Sequence, residues 1–207
     1  MLSLVRLIIV DVLETLYQSF WPAFLSAILL MYFYLFTKFG NESNGTLCGS
    51  IKIWIEHFRN ESFFRKLFIL NVVFMMILYR TLLNRNIWLN PLSDVMGGWT
   101  IWKVSQDGNV ILTTECFENI ALMFPFIILL MWTFQEKILR KADFKCTVLK
   151  STEISFLFSL GIEFLQLFLR VGTFQLSDVF YNSLGGFIGG IVYFFLNRAN
   201  NIRKERR

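Results

Sequence analysis

Eight side chains of this sequence carry polar chemistry where apolar residues would be expected: Arg80, Glu118, Asn119, Glu163, Gln166, Arg170, Asp178 and Asn182. Each lies in or beside a strongly apolar run. An ionisable group there costs about 2.5–3.5 kcal/mol on insertion scales, which makes it a candidate for function. Glu163, Gln166 and Arg170 follow i, i+3, i+7 and share one helical face, while Asp178 and Asn182 stand four apart. Guanidiniums, carboxylates and amides together suit recognition of a polar or ionic ligand, and Glu163 with Asp178 is the pair that could run acid/base chemistry. The competing reading is a closed internal network in which Glu163 partners Arg80 or Arg170. The two are compatible where the network is left incompletely closed.

Familiar catalytic sets are missing. The one histidine, His57, falls in a basic connecting segment, and no Cys/His metal spacing, Walker loop or nucleophile elbow occurs, so neither a metal nor a cofactor is expected. A formal net charge of +5 comes without a basic, aromatic-interleaved face, and no nucleic-acid partner is expected. The charge reads instead as topology.

The elements that must position the eight residues are membrane helices. The chain is 55% hydrophobic with 17% charged residues and a mean hydropathy of +0.54, against about a quarter charged in soluble proteins. A spanning helix needs about 20 mostly apolar residues. Five stretches qualify: Phe20 to Thr37, Leu67 to Leu83, Phe117 to Phe134, Val148 to Leu169, and Val179 to Leu196. The predicted fold is all-α, an integral membrane bundle of five transmembrane helices with an N-terminal amphipathic helix. Its divisions are the amphipathic segment 1–19, the transmembrane domain 20–197 and the basic tail 198–207. In the first, Asp11, Glu14 and Gln18 form a polar stripe, expected to lie along the membrane surface or to prolong the first span, with the former preferred. Nothing here reads as a cleaved signal peptide. Pro22 is placed near the start of the first span, where proline costs least.

Fifteen of the twenty Lys and Arg residues fall in the first loop, the third loop and the tail. That bias predicts a cytoplasmic carboxy terminus and an amino terminus outside. Cys116 is then separated by the bilayer from Cys48 and Cys146, so no disulfide is expected, and the Asn-x-Ser/Thr triplets at Asn41, Asn44 and Asn60 would face the cytoplasm, unglycosylated. With a rise of 1.5 Å per residue, Arg80 lies about 20 Å beyond the cytoplasmic start of its helix. Glu118 and Asn119 begin the third span at that level, Glu163 to Arg170 approach it, and Asp178 and Asn182 descend from it. Four helices thus bring their polar groups to one outer level.

The loop from Asn84 to Glu115 carries Trp88, Trp99 and Trp102, which fit an anchor in the outer interface or, more sharply, a lid over the polar groups. In SLGGFIGG, Gly185 and Gly189, and Gly186 and Gly190, stand four apart, the spacing that lets another helix backbone approach.

The residues YRTLL around Arg80, NPL at Asn90 and Pro91, ENIALMFPF from Glu118 to Phe126, EFLQ from Glu163 to Gln166 and GTFQLSDVFYNSLGGFIGG from Gly172 to Gly190 resemble the VanZ-like family of bacterial membrane proteins. The resemblance covers about residues 70 to 195. It implies a bacterial plasma-membrane protein, and the family's named member is associated with resistance to teicoplanin, a glycopeptide acting on cell-wall precursors outside the cell. Members often carry further acidic residues just before the last helix. Here Gln175 and Ser177 stand in those places, and a metal or strongly cationic ligand is not expected there.

The function expected from residues and resemblance together is binding or protection at the outer leaflet, with a glycopeptide or lipid-linked wall precursor as partner alongside the bilayer itself. The second reading is an enzyme modifying a lipid-linked wall intermediate through carboxylate chemistry. The third is a small transporter, for which five helices without internal symmetry would need a homo-oligomer to enclose a path.

Overall fold

The computed structural model describes residues 2–39, 47–104, 110–139 and 143–205. The triplets at Asn41 and Asn44 lie outside these.

The first helix, α1, runs unbroken over Leu2–Phe39. No glycine interrupts it, and Pro22 lies inside it rather than near its start, giving up one intrahelical hydrogen bond. Its 38 residues make a rod of about 57 Å against a hydrocarbon layer of about 30 Å. Residues 2–19 are thus continuous in α1 with the first span, the second of the two placements expected for this segment. Gln18 donates to Glu14 at 3.4 Å within the stripe.

A short helix, α2 (Leu47–Asn60), precedes α3 (Ser62–Leu78). Only Glu61 separates them, and α2 lays its apolar face on α3: Trp54 stacks on Phe58 at 5.2 Å and meets Phe64 and Phe68 edge-on. Arg65 donates to the carbonyls of Phe58 and Arg59, satisfying the end of α2 with a cation. His57 lies here too, 2.8 Å from Glu61.

At the far end of α3 the coil widens into a π turn, Tyr79–Leu83. The remaining spans are α4 (Glu115–Ile138), α5 (Phe144–Leu169) and α6 (Leu176–Glu205), and between the π turn and α4 two three-residue strands pair antiparallel, Trp102 opposite Leu112. Among the described residues five helices are long and apolar enough to cross a membrane, as expected.

The last helix is the centre of the packing, lying between α4 and α5, while α1 packs on α3 and α3 on α4. Its glycines divide the work. A Cβ on Gly185 or Gly189 would come within 2.9 Å of the carbonyl oxygen of Ile120 or Phe124 on α4. One on Gly186 or Gly190 would run into Ser155 or Ser151 on α5. Opposite these glycines α5 carries Ser151, Ser155 and Ser159, all fully buried at four-residue spacing. Small faces thus meet, and the backbones close to a separation that larger side chains would forbid. Phe74, Phe126 and Phe158 bring α3, α4 and α5 together, the last two rings stacked at 4.8 Å.

Candidate functional site

Helix direction puts the start of α4, the end of α3, the end of α5 and the start of α6 at one end of the bundle, the cap end. Seven of the eight residues gather there on fixed partners.

Arg80, in the π turn, pairs with Glu118 of α4 at 2.5 Å, and the other Glu118 oxygen accepts from the Thr114 hydroxyl at 2.9 Å. Thr114 also reaches Asp11 of α1 at 3.5 Å. Asn119 donates to Asp178 of α6 at 2.9 Å, and Asn182 donates to Ser159 of α5 at 2.8 Å. Gln166 crosses to the Thr81 carbonyl at 2.7 Å. Side-chain partners thus bind each helix end to the next, which low local polarity makes worth more than at a surface.

Glu163 does not take the partner expected for it. Arg80 is spent on Glu118, and the side chain of Arg170 is exposed. Instead a Glu163 oxygen accepts the backbone N–H of Gln175 at 2.7 Å. The side chain is only 2% exposed, and its charged neighbours are Asp178 and Arg85. Glu163 therefore holds the α5–α6 turn from beneath. Arg170 serves that turn by backbone, ending α5 with a left-handed φ of 56°. It is the one candidate side chain not drawn into the network.

The loop before α4 lies over this turn. Trp88 N–H donates to the Arg170 carbonyl, Phe174 N–H to that of Pro91 and Leu176 N–H to that of Val95. Residues 88–95 and 170–176 thus run side by side. The Gln175 amide donates to Asp94 at 3.2 Å, and the Tyr181 hydroxyl to the Trp99 carbonyl at 2.9 Å. Gly97, at φ +68°, packs so closely on Ser177 and Gln175 that a Cβ there would overlap the serine hydroxyl. The Ser177 oxygen is buried without a partner. The loop thus packs over the turn, and its indoles at Trp88, Trp99 and Trp102 stay about half exposed.

Sequence reasoning passed over Arg85, Asp94, Thr114 and Ser159. Arg85 is exposed, donates to the Arg80 carbonyl at 3.3 Å and lies beside Gly172. Its signal was available as a second arginine five residues after Arg80. No cluster of three or more His, Cys, Asp or Glu able to hold a metal occurs among the described residues.

Five apolar helices, a glycine–serine packing core and a hydrogen-bonded polar cap define a multi-pass helical membrane protein. A family model described as VanZ/LLP1 matches residues 7–197, nearly the whole chain, and the chain belongs to that family. No curated protein and no solved structure matches it.

Proposed function

We propose that this VanZ/LLP1 protein protects the cell envelope from the outer leaflet of a bacterial plasma membrane, with its cap outward and its tail in the cytoplasm. The cap binds a glycopeptide of the teicoplanin type or a lipid-linked wall precursor. One observation carries this reading: a rigidly tied network from α3, α4, α5 and α6 supports a surface bearing the exposed guanidiniums of Arg85 and Arg170 beside exposed indoles. Guanidiniums match the diphosphate of a lipid-linked precursor, and flat aromatic rings match sugar and aryl faces. The family's association with teicoplanin resistance supports the same class of ligand, and the cation bias supports the orientation.

Teicoplanin susceptibility of a deletion strain complemented with wild type, Arg85→Ala/Arg170→Ala or Glu163→Gln, at matched membrane abundance, tests the proposal. Protection by the wild type and its loss in the double-arginine variant is the expected result. Undiminished protection in both variants would remove the cap from the mechanism.

An enzymatic reading draws on the nearness of Asp178 to the buried Glu163. It predicts a mass change in lipid-linked precursors extracted from cells with and without the protein. Identical profiles would exclude it.

A further inference from the structure

We infer that a groove at the end of the bundle opposite the cap binds the phosphate headgroup of an anionic membrane lipid. The start of α3, the end of α4 and the last turns of α6 border this half-open groove, whose volume of about 1120 Å³ is at the upper end of the roughly 300–1,000 Å³ of small-molecule pockets. Two cations line it. The Lys66 ammonium lies 4.8 Å from the Trp132 ring centre and that of Lys137 lies 5.7 Å from the Phe134 ring. Neither is paired with a carboxylate among the described residues. Glu136 also lines the groove, so one positive charge remains uncompensated.

The rest of the lining fits the rest of a lipid. Asn197, Asn200 and Asn201 lie along one face of α6 and offer amide donors beside the ammoniums, the complement that phosphate and glycerol oxygens need. Ile128, Leu129 and Leu196 continue the wall toward the apolar middle of the spans, a path for an acyl chain. The shape is held open by two features: α4 kinks at Phe134 (φ −121°, ψ 23°), and the Tyr193 hydroxyl donates to Gln135 at 2.7 Å across the α4–α6 contact. A soluble phosphate compound would have no use for that apolar wall. Basic pockets between spans at the cytoplasmic interface are a general means of holding anionic headgroups.

Native mass spectrometry of the full-length protein released from nanodiscs of equal phosphatidylglycerol and phosphatidylcholine tests the assignment. Phosphatidylglycerol adducts should exceed those of phosphatidylcholine by about fivefold or more. Lys66→Gln/Lys137→Gln should bring the ratio near one, while Lys150→Gln, at the same end but outside the groove, should keep it. If the double variant fails to fold, the exposed Lys137→Gln alone should still lower the ratio. Equal retention of both lipids by the wild type, an unchanged ratio in the groove variants, or displacement by millimolar inorganic phosphate would each overturn the proposal, the last by assigning the groove to free phosphate.

Discussion

Glu163 ties the α5–α6 turn to the bundle through one hydrogen bond from a nearly inaccessible position. Its place in an apolar run marked it as special, and it proves nearly inaccessible. Its partner is a backbone N–H twelve residues on, a contact that depends on how the α5–α6 turn closes and leaves no spacing rule in the sequence. Arg80 and Glu118 were both singled out, yet their pairing depends on the π turn, whose widened coil redirects the arginine. Gln175 and Ser177 both sit at the centre of the cap. Gln175 donates to Asp94, which a carboxylate at that position would repel. Removing the Glu163 acceptor leaves the part-buried Gln175 N–H unpaired, at about 1 kcal/mol. Glu163→Ala is therefore expected to destabilise by that amount in reversible detergent unfolding, and Glu163→Gln, which keeps a carbonyl acceptor, by less. Equal stability of Glu163→Ala and wild type would show that the turn does not depend on this bond.

At the scale of elements, the five spans were legible because twenty-residue apolar runs have few alternatives once water is absent. The short α2 was not. Its stripe of Ile53, Trp54 and Phe58 is interrupted by charges and lies within a segment dense in basic residues. The glycine spacing announced close packing but not against which helix, and the answer is two helices at once. The serines opposite looked bland in an apolar run. Their value appears only when Gly186 is set against Ser155 and Gly190 against Ser151. A methyl group at Gly186 has no room, and overpacking of this kind costs about 1–3 kcal/mol. Gly186→Ala is expected to lower unfolding stability by that much, and adding Ser155→Gly should restore part of it because the obstructing side chain is gone. Simple additivity of the two substitutions would contradict direct contact between these faces.

For the whole molecule, the helices order the chain into a cap end, where four spans share hydrogen bonds beneath a loop, and a tail end, where cations gather. This division was visible in the sequence as fifteen cations set against five. What the sequence did not give was the mutual fit of residues 88–95 and 170–176, since backbone pairing of two irregular segments carries no periodic signature. The proposed function rests on the sidedness of this arrangement. It is tested most directly by single engineered thiols in a variant lacking Cys48, Cys116 and Cys146. Leu89→Cys stands on the cap loop, where the side chain is 94% exposed, and Ala199→Cys on the exposed final turns of α6. A membrane-impermeant maleimide applied to intact cells should modify Leu89→Cys at once and Ala199→Cys only after permeabilisation. The reverse pattern would put the cap in the cytoplasm and contradict the account.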